Sequence, residues 1–191
     1  MPMVILETER LILRTWGKDD FEPMCKINQD PKVMEYFPSL VNAEDTQALI
    51  DRICAHQDEH SYTLYAVELK LTHEMIGFIG LLHRTRQDLD LPFNPSTEIG
   101  WRLASKHWGQ GLAPEGAKAV LKHAFTVLDL PEVVSFTTVN NTKSRRVMEK
   151  LGLNHDPKDD FEHPKLPKDS PLSRHVLYRI SKAEYARTNG D

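Results

Sequence analysis

Apolar residues along the chain follow two periods, and the change between them marks the elements. Ala117, Val120, Leu121, Ala124, Phe125 and Leu128 recur at steps of three and four, the spacing of one helix face. Pro114 opens this helix, where a missing N–H would have had no partner. Ahead of it lies an apolar run, Ile99 to Ala104, and between the two sit Gly109, Gly111 and the small Ala113. The pattern predicts strand, glycine loop, helix. Elsewhere the same reading predicts a strand over Val4 to Arg14 and a helix from Asp19 or Asp20 to about Asn28. Phe21, Met24, Cys25 and Ile27 form that helix's buried face, and Asp30-Pro31 ends it. Asn42 caps a second helix, Ala43 to Gln57. Tyr62 to Leu69 and Met75 to His83 predict a hairpin that turns at His73-Glu74.

The second half of the chain continues in this way. Arg84 to Ser96 predicts a polar loop, and Thr97 to Ala104 the strand before the glycines. Val133 to Val139 is a β-branched run and predicts a strand. Asn140-Asn141-Thr142 leads into a short helix, Lys143 to Lys150, which Gly152 ends. Asn154 to Arg174 predicts a loop. A last strand spans Val176 to Ile180, and Ser181 caps a closing helix, Lys182 to Arg187.

Composition narrows the function classes. The length of 191 residues suits one domain with a sizeable core. Lys plus Arg number 24 against 28 Asp plus Glu, a net charge of -4, which argues against a surface built for nucleic acid. Cys25 and Cys54 lack C-x-x-C spacing, so neither a disulfide framework nor a cysteine-rich zinc site is expected. His155, Asp156, Asp159, Asp160 and His163 are metal-ligand types, but their spacing matches no motif of fixed geometry. No apolar run approaches the ~18 residues of a membrane span. The N-terminus shows no signal-peptide pattern, so the cytoplasm is the expected compartment.

The glycine loop carries the candidate chemistry. Free backbone N–H groups and the partial positive charge of a helix N-terminus together bind anions, above all phosphates. No Walker loop is present, and Pro114 stands where a dinucleotide fingerprint needs glycine. By itself the loop is equally a plain strand-to-helix turn. Asn141 is a helix cap on sequence alone, and Tyr36 and Phe37 are either a packed turn or an aromatic pocket wall.

Four stretches together resemble one family: LETERLILR, EIGWRLASKHWGQGLAPEG, NNTKSRRVMEKLGL and HVLYRISKAEY. The chain resembles the GNAT superfamily of acyl-CoA-dependent N-acyltransferases, and within it the RimJ/RimL branch. The resemblance implies a single α/β (α+β) domain over residues 1–191, with a mixed central β-sheet flanked by helices. It implies acetyl-CoA as co-substrate, with no metal. The superfamily loop Q/R-x-x-G-x-G/A falls on Trp108, Gly109, Gln110, Gly111, Leu112 and Ala113, which would cradle the diphosphate. Trp108 departs from the usual Gln or Arg, as W-G-x-G sequences of that branch do. The strand at Trp101, Arg102 and Leu103 would pair with the pantetheine arm through its backbone, and Asn141 and Ser144 match the family's N-x-x-S.

The implied reaction is acetyl transfer to an amine, whose α-amino form has a pKa of ~8 and whose lysine form ~10.4, so a base must remove a proton. Glu98, the carboxylate on the cofactor strand, is the candidate base. Met148 occupies the position where many members carry a tyrosine acid, and methionine donates no proton. Ser144 is then the candidate partner of the leaving sulfur, with Tyr178 as a fallback. Tyr36 and Phe37 would line the acceptor pocket. The acceptor is a peptide N-terminus or a small-molecule amine, with neither nucleic acid nor membrane as partner. The alternative is a non-catalytic acyl-CoA-binding sensor, which would keep the loop and be indifferent to Glu98.

Overall fold

The first apolar run folds as two strands where the alternation predicts one. Strand β1 (Val4–Glu7) turns back at Thr8 and pairs antiparallel with β2 (Leu11–Arg14). The turn carries no Gly, Pro or Asn. Thr8 makes it instead: its Oγ1 accepts from Leu11 N at 3.0 Å, while its N–H donates to Leu11 O at 2.9 Å. The computed structural model describes residues 2–189 and divides into two compact units.

One unit comprises the residues up to 82 together with 100–120. Here β2 pairs antiparallel with β3 (Leu64–Leu69), and β3 with β4 (Met75–Arg84), which is the expected hairpin. Two glycines on β4 permit close strand approach. A Cβ at Gly80 would lie 2.0 Å from Thr63 O, and one at Gly77, whose φ is +135°, would lie 2.0 Å from Arg102 O. Helices α1 (Phe21–Asn28) and α2 (Ala43–His60) supply Met24, Ile27, Ile50 and Ile53 to a core shared with Leu64, Ala66 and Phe78. Asp20, one of the two expected caps, does occupy the N-cap of α1, but its carboxylate makes no cap bond because it accepts from Arg14 and Gly17 N instead. Asn42 caps α2 as expected, accepting from Asp45 N at 2.8 Å. Buried Asn28 ties the two helices together by donating to Thr46 Oγ1 at 2.9 Å.

The other unit comprises, among the described residues, 83–99 and 121–189. Strand β5 (Ser96–Leu103) begins in it and meets β6 (Glu132–Thr138) in parallel at Glu98↔Val134. Then β6 runs antiparallel to β9 (Arg174–Ser181) from Glu132↔Ser181 to Thr138↔His175. Two short strands, β7 (Asn154–His155) and β8 (Phe161–Glu162), also pair with β9, so part of the expected loop is ordered on it. The segment read as a polar loop, 84–96, buries Leu89 and Leu91 among Val134, Phe161 and Leu177, with Phe93 and Phe136 at the margin. Its charged residues hid that apolar half. Helix α4 (Thr142–Lys150) follows β6. The last helix, α5 (Lys182–Asn189), starts in a capping box in which Ser181 N donates to Glu184 Oε2 at 2.8 Å and Glu184 N to Ser181 Oγ at 3.2 Å.

Strand hydrogen bonding runs in the order β1-β2-β3-β4-β5-β6-β9-β7, with β8 on β9. The sheet mixes parallel and antiparallel pairs and is flanked by helices, the α/β class that the resemblance implied.

Candidate active site

Helix α3 (Leu112–Thr126) starts two residues ahead of Pro114, so Leu112 and Ala113 belong to its first turn and Pro114 sits third in it. The loop before it turns on Gly109 and Gly111, at φ of +77° and +79°. This left-handed region strains any residue with a Cβ, which is why glycine recurs here. A Cβ at Gly109 would meet nothing within 4 Å, so the loop presents bare backbone to open space. Among the described residues, the N–H groups of Gly109, Gly111, Leu112 and Ala113 donate to no backbone carbonyl. Four such donors and a helix N-terminus therefore fall within five consecutive residues, and their chemistry fits an anion such as a diphosphate.

Two residues that the sequence reading passed over hold this loop. Arg10 Nη1 donates to Gln110 O at 2.9 Å, and Arg10 pairs with Glu115 at 2.6 Å. Glu115 also accepts from Thr8 Oγ1 at 2.5 Å and from Arg10 N at 2.9 Å. Burial pushes the Glu115 carboxyl up, but these bonds outweigh it and leave the group below its ordinary range. A Glu in the first turn of a helix was visible in the sequence; its partner, more than a hundred residues away, was not.

The last part of β5, Gly100 to Leu103, joins the same unit as the loop. Trp108 reaches back to it, with Nε1 donating to Leu103 O at 2.8 Å. That bond gives Trp108 a structural duty that needs no Gln or Arg. Register pairing with β6 is confined to Glu98↔Val134, and Ser135 Oγ donates to Ile99 O at 2.9 Å. Among the described residues, the backbone groups of Trp101 to Leu103 have no register partner on β6. The Arg102 side chain stacks under Phe37, with 4.4 Å from Cζ to the ring centroid, and beside Phe78 at 5.3 Å. Tyr36, next to Phe37, is half-buried, and burial with neighbouring Glu35 raises its phenol.

Three predicted residues lie in the other unit. The Glu98 carboxylate accepts from Arg84 Nε at 2.8 Å and is 14% exposed. Asn141 is the N-cap of α4: its Oδ1 accepts from Ser144 N at 3.2 Å, and its Nδ2 donates to Thr137 Oγ1 at 3.0 Å. The cap reading thus holds for Asn141, and its amide keeps one lone pair and one N–H beyond these two bonds. Ser144 is half-buried in the first turn of α4. Met148 is buried in the same helix. Tyr178 is 2% exposed, donates to Glu149 at 3.1 Å, accepts from Arg145 Nε at 3.3 Å and stacks on His155. Its hydroxyl is committed to packing, so it serves poorly as a fallback acid.

Among the described residues no three His, Cys, Asp or Glu side chains are grouped to hold a metal ion, and no helix is long and apolar enough to cross a membrane. His155, one of the metal-ligand types in the late loop, bonds Asp160 at 2.8 Å.

Residues 10–154 match the acetyltransferase (GNAT) domain family. The chain is 27% identical over 190 residues to an uncharacterised N-acetyltransferase, p20, of Bacillus licheniformis, covering 96% of this chain and 99% of that one. A GNAT-family acetyltransferase from Bacillus anthracis superposes with a TM-score of 0.76 at 25% identity, over 96% and 100% of the two chains. An acetyltransferase from Agrobacterium tumefaciens superposes with a TM-score of 0.72 at 30% identity, over 92% of each. With a family match spanning most of its length, the chain belongs to the GNAT family and is an acetyltransferase.

Proposed function

We propose that this enzyme, a RimJ/RimL-like member of its family, transfers the acetyl group of acetyl-CoA to a primary amine on a peptide N-terminus or a small molecule. The carrying observation is the Gly109–Gly111 turn, whose open N–H groups lead straight into α3. In this reading Trp108 to Ala113 hold the diphosphate, the backbone of Trp101 to Leu103 aligns the pantetheine, and Asn141 offers its remaining amide valences. Tyr36 and Phe37 border the acceptor. The neutral amine attacks the thioester carbonyl, an N–C bond forms, the C–S bond breaks, and the amine proton passes to Glu98. The leaving thiol has an ordinary pKa of ~8.5 and needs modest help, for which Ser144 is the nearest chemistry in the N-x-x-S motif. Cys25 and Cys54 have no part in it, so no covalent acyl-enzyme is invoked.

Gly111→Asp tests the loop. It puts a Cβ at a left-handed φ and a carboxylate into the loop, so acetyl-CoA affinity by calorimetry should drop at least tenfold, from loop strain together with like-charge repulsion. Unchanged affinity would move the site elsewhere. A sensor that binds acetyl-CoA without catalysis would show the same loss in Gly111→Asp, yet wild type would release no CoA thiol with any amine or peptide.

A further inference from the structure

Among the described residues, Arg102 is a cation with no anion beside it. Its Nη1 donates to Asn28 Oδ1 at 2.7 Å, and its Nε is buried with no acceptor. Among the described residues no Asp or Glu pairs with it, whereas Arg10, Arg14 and Arg84 are each matched by a carboxylate. Phe37 and Phe78 both give it ring contacts, at 4.4 and 5.3 Å from Cζ to the ring centroids. Desolvation alone acts on its charge and lowers the guanidinium to about 10. Removing a charge from water is costly, and a neutral amide with two rings does not replace a counter-ion. Asn28 is itself fully buried and anchored on Thr46, so it fixes the guanidinium from one end. The fold therefore holds an arginine in place and leaves its counter-charge to be supplied.

We propose that Arg102 binds a carboxylate carried by the amine acceptor, so that the enzyme's acceptors are amino acids or similar amino-carboxylates. This rests on the acetyl-transfer reading above. Asn28 occupies one Nη, which leaves the edge formed by Nε and the second Nη. Two parallel N–H groups on that edge match the two oxygens of a carboxylate, a recognition a lysine could not reproduce. Phe37 covers a face of the guanidinium and is 41% exposed, so it can be displaced or can border the incoming ligand while the edge receives it. The side chain contacts α1 and the turn after it, the segment that carries Tyr36 and Phe37, and so faces the proposed acceptor wall.

The test compares acceptors that differ only by the carboxylate: L-phenylalanine with phenethylamine, L-leucine with isoamylamine, and L-lysine with cadaverine. CoA thiol release gives kcat/KM for each. A hydrogen-bonded charge pair is worth about ten- to hundredfold, so each acid should exceed its amine by that factor after correction for amine pKa. In Arg102→Met the acid-to-amine ratio should fall to within about twofold, whatever the absolute rates do, and Arg102→Lys should recover only part of it. Equal use of acids and amines by wild type overturns the proposal, as does a ratio unmoved in Arg102→Met. So does a tenfold loss of acetyl-CoA affinity in that variant with an unchanged ratio, which would assign the charge to a coenzyme phosphate. If no pair turns over, thermal shifts with the same compounds in the presence of CoA decide: stabilisation by acids and not amines supports the carboxylate site, and none overturns it. Failure to bind acetyl-CoA at all would instead remove the acetyl-transfer reading.

Discussion

Glu98 meets Arg84 through one 2.8 Å bond to Oε2 and is mostly withdrawn from water. A carboxylate fixed in this way is pre-positioned, which is what a general base requires. Its exchange for glutamine removes the proton acceptor while keeping size. Glu98→Gln should lower kcat by about 10² to 10⁴, with acetyl-CoA affinity by calorimetry hardly changed. The deficit should narrow as pH rises toward the amine's own pKa, because free amine then no longer needs the base. A wild-type pH profile in Glu98→Gln would sink the assignment. Asn141 illustrates the other side of single-residue reasoning: its cap bond to Ser144 N is ordinary helix chemistry, and only its spare valences are open to a ligand.

At the scale of elements, the β1–β2 turn buttresses α3. Thr8 and Arg10 converge on Glu115, and Arg10 also draws in the Gln110 carbonyl. The hairpin thereby ties down the loop and the first turn of α3. Arg10 is exposed enough that its ion pair should contribute no more than ~1 kcal/mol to stability. Arg10→Met should accordingly lower the apo melting temperature only slightly, yet raise the Kd for acetyl-CoA several-fold by loosening the loop. A large fall in melting temperature with unchanged Kd would mean that the clamp serves the fold alone.

For the molecule as a whole, acid stability hangs partly on two histidines. His163 and His175 lie with ring centroids 4.9 Å apart. Burial first, then mutual repulsion, Lys165 and Arg84, push His163 down to about 4. Burial also lowers His175, against the raising pull of Ser173 O, Glu162 and Glu98. Unfolded imidazole takes its proton near pH 6.5. As pH falls from about 6.5 to about 4, the unfolded chain therefore binds more protons than the folded one, and stability is lost across that window. His163→Gln should flatten the fall in melting temperature between pH 6.5 and 4; parallel curves for variant and wild type would remove His163 from the account.

The sequence by itself determined whatever local forces decide. Helical spacing from Ala117 to Phe125, the Asn42 and Ser181 caps and the β-branched run of β6 are backbone and period effects, and each lies where the pattern put it. The glycine pair was legible for the same reason, since a left-handed φ leaves a trace in residue type. Tertiary structure decided the rest. It split Val4 to Arg14 at Thr8, turned the 84–96 segment into a small apolar core, and joined Glu115 to Arg10. It also set Arg102 against two rings, with no counter-ion among the described residues. These outcomes depend on groups distant in the chain, and a one-dimensional pattern records that a charge exists, not whether another charge comes to meet it.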